Sequence, residues 1–234
     1  MDKRAGHTGA IELLRYGLAR VFWRYVRQGA QYRGDAMAMQ ALAPLSGSYV
    51  AWTDFALRPS AVVAILNDIA VHDRKHIVEC GGGVSTLYIA RLLRERGGHL
   101  STVEESAEWM DHLRREIETE QLTEYVSLMH APITDVRLPS GDQRWYADEV
   151  VKALTTRRDI DLLIIDGPIA EHSPGIRYPA LPYFYDSLVD SATVMLDDID
   201  RRGEQRIVRA WEAELGLSFE RRFLNGIAVA TVAR

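Results

Sequence analysis

The 234-residue chain has one cysteine, Cys80, so no disulfide can form within it. A lone thiol fits a reducing compartment, and a cytoplasmic location is the expectation. No run approaches the roughly eighteen apolar residues of a membrane-spanning helix. The charges in Ile11-Glu12-Leu13-Leu14-Arg15-Tyr16 interrupt any signal-peptide core. Neither sign of charge dominates: 28 Lys and Arg stand against 33 Asp and Glu, for a formal charge of -5. That balance gives no reason to expect a nucleic-acid partner. The histidines at 72, 76, 99, 112, 130 and 172 lack the Cys/His spacing of a zinc site. There is no internal repeat and no low-complexity tract.

What is present suffices for a sizeable core. The chain is 47% hydrophobic and 26% charged, the make-up of an ordinary folded domain. Leu14, Leu18, Val21, Phe22 and Tyr25 recur at helical spacing between Ile11 and Val26, with Arg15, Arg20, Arg24 and Arg27 around them. Such a basic amphipathic helix docks on its own domain, on a second copy of the chain, or on an anionic membrane surface. Residues 1–60 read as a helical extension that covers the substrate, and 61–234 as the main domain.

Beyond it, strand and helix patterns alternate. Strands are expected at Lys75–Cys80, His99–Glu104, Tyr125–His130, Ile160–Ile165 and Ala192–Leu196, then at Leu217–Arg222 and Ile227–Val232. Helices are expected at Ser85–Arg96, around Ala107–Glu120 and at Arg201–Leu215. Short apolar strands alternating with helices predict an α/β fold with a doubly wound, mostly parallel sheet covered on both faces. Asn225-Gly226 marks a closing antiparallel hairpin. The least regular stretches are Pro132–Asp148, with a turn at Pro139-Ser140-Gly141-Asp142, and Gly167–Pro182.

The segment Glu79-Cys80-Gly81-Gly82-Gly83-Val84-Ser85-Thr86 follows an apolar strand and opens a helix. Its glycines let the backbone turn sharply and approach a ligand, and the helix start offers free N–H groups. Ligands of open α/β sheets bind at the carboxyl ends of strands. A dinucleotide fingerprint wants Gly or Ala where Thr86 stands. The run instead resembles the acidic-x-Gly-x-Gly-x-Ser/Thr signature of class I S-adenosylmethionine-dependent methyltransferases. The resemblance runs from about Trp52 to the C-terminus. It implies the methyltransferase variant of the Rossmann-like fold, a seven-stranded sheet with a C-terminal antiparallel hairpin.

The same resemblance implies site residues. Gly81, Gly82 and Gly83, with Ser85 and Thr86, would line the methionine portion of S-adenosylmethionine, and Glu79 would help hold its amino end. Glu104, 25 positions after Glu79, would accept hydrogen bonds from the ribose hydroxyls. Ala131 falls where the family contacts adenine. Trp109 either stacks near the adenine or belongs to helix core.

Two expected strands end in acids, Asp166 in Ile165-Asp166-Gly167-Pro168 and Asp197-Asp198 after Leu196. Three carboxylates at one sheet edge repel unless solvated, protonated or shared by a cation. They resemble the Asp and Asp-Asp or Asp-Asn positions of magnesium-dependent O-methyltransferases, such as the catechol and macrolide-sugar enzymes. That implies a Mg²⁺ site at Asp166, Asp197 and Asp198, suited to hard oxygen donors. Otherwise the aspartates cap a loop and the following helix. The stretch Ile169–Pro182 departs from both named enzymes.

Asp166 is a candidate catalytic residue that also borders the cofactor. His172 is a candidate base, since it titrates near neutrality. Arg177 is a candidate partner for an anionic substrate group, and Tyr178 and Trp52 are candidate walls of the acceptor site. The expected activity is methylation of a hydroxyl on a small molecule or glycan. Metal-independent N- or C-methylation, an NAD-dependent oxidoreductase and a non-catalytic cofactor-binding protein remain open.

Overall fold

Strand β1 (His76–Cys80) is an interior strand of a seven-stranded sheet, and its last four residues are buried. It was identified in a computed structural model that describes residues 25–138, 141–170, 173 and 175–233. The sheet order is β3-β2-β1-β6-β7-β9-β8, with β2 at His99–Glu104, β3 at Val126–His130 and β6 at Ile160–Ile165. Strand β7 is Leu188–Leu196, β8 is Glu220–Arg222 and β9 is Ile227–Thr231. All neighbours are parallel except β7–β9 and β9–β8. This is the expected sheet and terminal hairpin.

Strand β6 from Leu162 and strand β7 from Val194 end in continuous apolar runs because both sheet faces are covered. Neighbouring residues alternate sides. Ile77, Leu162 and Ile164 face helices α2 (Pro59–His72) and α3 (Val84–Arg96). Val78, Leu163 and Ile165 face α6 (Ala180–Phe184) and α7 (Arg202–Leu215), with Trp211 fully buried among them.

Three sequence readings need correction. Pro132–Asp148 is not irregular: it holds a separate antiparallel pair, β4 (Ile133–Leu138) with β5 (Gly141–Tyr146). The pair buries Trp145 and Tyr146 completely, but its polar residues hide the alternation. Strand β7 begins four residues earlier than Ala192. A register irregularity opposite β6, with Ser191 at φ 67°, interrupts the apolar pattern there. The closing hairpin turns through four residues rather than two. Only Gly226 takes a positive φ, and the Asn225 and Gly226 N–H groups both donate to the Arg222 carbonyl.

Residues 25–42 form helix α1. The expected basic helix at Ile11–Val26, and any pairing of chains through it, lies outside the described residues except for Tyr25 and Val26. Helix α1 is tied to the domain by Asp35, which accepts from Ser60 Oγ at 2.7 Å and pairs with Arg58. The link that follows α1 is anchored by Arg91, whose guanidinium donates to the Leu45 and Ser48 carbonyls and to Glu120. No helix among the described residues is long and apolar enough to cross a membrane.

Candidate functional site

The glycine turn sits where two parallel strands end together. Asp166 and Gly167 N–H, just past β6, both donate to the Cys80 carbonyl at the end of β1, at 2.9 and 2.6 Å. Gly81 takes a φ of 89°, and a Cβ there would come within 2.7 Å of the Gly167 nitrogen. The strand ends can approach this closely only because both residues are glycines. Gly83 differs: a Cβ added there meets nothing within 4 Å.

Glu79 lies beneath this turn. It is fully buried, accepts from Ser85 Oγ at 2.5 Å, and accepts from Thr86 and Thr102 Oγ1 at 2.6 and 2.9 Å. The Thr86 hydroxyl also accepts from the Gly83 N–H at 2.9 Å, which couples the turn to the helix start. Burial pushes the Glu79 carboxyl up, and the three hydroxyl donors oppose that. Glu79 and Thr86 therefore do not line the cavity, because their polar atoms are spent on each other.

Gly81, Gly82, Gly83 and Ser85 form one wall of a cavity of about 290 Å³. Glu104 at the end of β2 forms another. Its Oε2 accepts from Gly82 N–H at 3.0 Å and its Oε1 from Ser106 N–H at 2.8 Å. Burial raises its pKa to about 7, with the Glu105 charge adding to the shift and these N–H groups opposing it. Trp109 of α4 (Ala107–Thr119) borders the same space. Ala131 is fully buried beside the β2 end, where its N–H donates to the Glu104 carbonyl, and does not reach the cavity.

Asp166, Asp197, Asp198, Arg177 and Arg201 line the same cavity. Oxygen atoms of the three aspartates can be chosen within 4.8 Å of one another. Arg177 reaches into the group. Its Nη2 donates to Asp166 Oδ1 at 3.2 Å, its Nη1 to Asp198 Oδ2 at 2.9 Å and its Nε to the Pro168 carbonyl at 3.1 Å. Arg201 pairs with Asp198 Oδ2 at 2.8 Å. Burial and the Asp198 charge raise the Asp197 pKa to about 7, against the pull of Arg177. Burial first, and then Asp197, push Asp166 well up. Neither Asp197 nor Asp198 caps α7 with its side chain; the N-cap is Arg201.

Two expected acceptor walls point elsewhere. Trp52 packs on Tyr88 of α3, with ring centroids 6.2 Å apart. The segment around it does cover the cavity, through Thr53, Asp54 and Phe55. Tyr178 turns toward α7, where its hydroxyl donates to Glu214 and its carbonyl accepts from Trp211 Nε1 at 3.0 Å. His172 lies outside the described residues. The sequence reading missed Glu105, which lines the cavity and accepts from the Ile169 N–H at 2.9 Å. Its place beside Glu104 was the available signal. It also missed Arg201, three positions after Asp198.

Residues 78–199 match the family model described as a methyltransferase domain. No curated protein matches the chain. Among solved structures it is similar to a Podospora anserina methyltransferase with S-adenosylhomocysteine bound, at TM-score 0.57 and 13% identity, covering 86% of each chain. It is also similar to an O-methyltransferase from Bacillus cereus in complex with S-adenosylhomocysteine, at TM-score 0.54 and 19% identity, covering 86% of this chain and 91% of that one. A third is the Streptomyces achromogenes O-methyltransferase of tomaymycin synthesis, at TM-score 0.54 and 15% identity, covering 86% and 90%. These likenesses concern the fold. The family match spans more than half of the sequence, from inside β1 to just beyond the Asp197-Asp198 pair, and on that ground the chain belongs to the methyltransferase-domain family, the class I methyltransferases.

Proposed function

We propose that the protein transfers a methyl group from S-adenosylmethionine to a hydroxyl of a small molecule or glycan. The observation that carries this reading is one continuous cavity. It is lined by the glycine turn and Glu104 together with Asp166 and Asp197. The residues present fit the cofactor. Glu104 offers a nearly buried carboxylate to the ribose hydroxyls, Gly81–Gly83 and Ser85 offer a close backbone wall, and Trp109 offers a ring beside it. When bound, the cofactor supplies an activated methyl on its sulfonium.

The protein's own task is to align the acceptor and take up its proton. Asp197 is 9% exposed, lines the cavity and holds a carboxyl poised near neutrality, which suits a proton acceptor. His172 is the competing base. Phe55 and Ile169 supply an apolar wall for an acceptor ring. The similar Bacillus and Streptomyces proteins are O-methyltransferases, which favours a hydroxyl over a nitrogen acceptor.

The implied Mg²⁺ was weighed against the donors present. The hard oxygen set suits such an ion. However, Asp166 Oδ1 and Asp198 Oδ2 already accept hydrogen bonds from Arg177, and Arg201 shares Asp198. The set as built does not fit a divalent ion.

The test is titration calorimetry with S-adenosylmethionine, S-adenosylhomocysteine and NAD, followed by a panel of phenolic, sugar and amine acceptors analysed by mass. Binding of the first two and a product heavier by one CH₂ on a hydroxyl are expected. Binding of NAD alone, or methylation of amines only, would overturn the reading.

A further inference from the structure

We infer that Arg177 is the resident cation of the acidic cluster and keeps divalent metal ions out of it. This rests on the proposed reading only in treating the cavity as the methyl-transfer site. The geometry of the cluster stands apart from it.

The guanidinium occupies the position a shared cation would take. One face of the cluster is supplied by the end of β6 through Asp166 and the other by the segment after β7 through Asp198, and Arg177 donates to both. A planar fork satisfies two carboxylates at once, which a lysine ammonium does less well. The third contact, from Nε to the Pro168 carbonyl, fixes the plane of the group.

Arg177 is also hard to displace. Its side chain is 5% exposed. Ile176 before it and Ala180 three residues after it are buried in the core, so the backbone on either side is held. To admit a metal ion, the guanidinium must leave a buried position where it is paired and find new partners. A buried charge without a partner is costly.

Part of the cluster's negative charge is already matched by resident cations. Arg177 and Arg201 face Asp166, Asp197 and Asp198, with Glu204 farther off. The acceptor hydroxyl is then oriented by carboxylates and a guanidinium, and its proton goes to a carboxylate at the cavity wall.

The decisive probe is Mn²⁺ alone, followed by its electron paramagnetic resonance signal and by calorimetry. It is added to the full chain, with and without S-adenosylhomocysteine. The wild-type protein should leave the Mn²⁺ signal free up to millimolar concentration. Arg177→Met, which keeps much of the bulk and removes the charge, should bind Mn²⁺ at least about tenfold more tightly than wild type. Asp197→Asn in that background should lose the gain. Once an acceptor is known, wild-type turnover should change by less than about twofold on chelation.

Micromolar Mn²⁺ binding by the wild type, or turnover lost to a chelator and restored by Mg²⁺, would overturn the inference. So would a folded Arg177→Met protein that still ignores Mn²⁺. If that variant does not fold, the wild-type titration decides alone. A failure of S-adenosylhomocysteine to bind would count against the proposed function, while the Mn²⁺ titration of the ligand-free protein would still test the role of Arg177.

Discussion

The indole Nε1 of Trp109 donates to the Gly82 carbonyl at 2.8 Å. A residue on α4 thereby holds the middle of the glycine turn. Trp109→Phe keeps an aromatic face and removes this bond. A drop of about 0.5–1.5 kcal/mol in stability is expected by denaturant titration. Affinity for S-adenosylhomocysteine should fall several-fold in calorimetry, because the turn loses its tether. An unchanged affinity would mean that the turn holds its shape without Trp109.

The glycines of the turn should behave differently from one another. Gly83→Val places a side chain where nothing lies within 4 Å, so the fold should survive while cofactor binding is lost. Gly81→Val combines a φ of 89° with a Cβ driven into the Gly167 backbone, so stability should fall with binding. Thermal unfolding of both variants, with calorimetry on each, checks the contrast. Equal loss of stability in the two would refute it.

Glu79 is expected to matter to the fold more than to the ligand. Glu79→Ala leaves the hydroxyls of Ser85, Thr86 and Thr102 without their acceptor in a buried site. Each unpaired hydroxyl costs about 1–3 kcal/mol, so the loss should amount to several kcal/mol. The measurement is chemical denaturation. A stable Glu79→Ala protein that merely binds S-adenosylmethionine weakly would return Glu79 to the role the resemblance implies.

Cofactor affinity should depend on pH through Glu104. Its carboxyl is raised to about 7 before ligand binds, and the ionised form is the better acceptor for ribose hydroxyls. Affinity should therefore strengthen as pH rises through about 7 and level off above it. Glu104→Gln should flatten that profile and weaken binding by about 1.5–3 kcal/mol. Calorimetry at several pH values reads both effects; a pH-independent wild-type Kd would remove Glu104 from the ribose site.

The ligand-free protein should be more stable in mild acid than in mild base. Glu104 and Asp197 stand near 7 when folded, against 4.5 and 3.8 for unburied carboxyls. Between those values the folded chain keeps protons that the unfolded chain has released, so stability declines with rising pH until about 7. Glu120 acts in the opposite sense: Arg91 holds it down at about 2. Its contribution is present above about 4.5 and is lost as pH falls toward 2. Calorimetric Tm should peak near about pH 5 and be lower at about pH 8. A Tm highest in mild base would show that Glu104 and Asp197 are not held protonated.

Much of the frame is readable along the chain, for a local reason. Strands β2 and β6 fall on their expected spans, and β1 differs from its expected span by one residue. The glycine turn, the acid that ends β2 and the acids that follow β6 and β7 are local words that parallel topology brings to one edge. The β4–β5 hairpin was not readable, because the tertiary burial of Trp145 and Tyr146, rather than a repeating pattern, marks it as sheet.

Side-chain direction is where sequence and structure part. Trp52 and Tyr178 stand beside cavity residues in the chain, and Glu79 and Ala131 near two strand ends, yet all four pack away from the cavity or under it. Alternating pleats and helix packing, not neighbourhood in sequence, decide which way a side chain faces. The sequence by itself determined the fold class, the carboxyl-edge location of the site and the carboxylates gathered there, since these follow from periodicity and parallel connection. Only the tertiary structure decided which cation those carboxylates have. Arg177 reaches Asp166 and Asp198 from 11 and 21 positions away, and such a pairing depends on how a loop folds back over two strand ends.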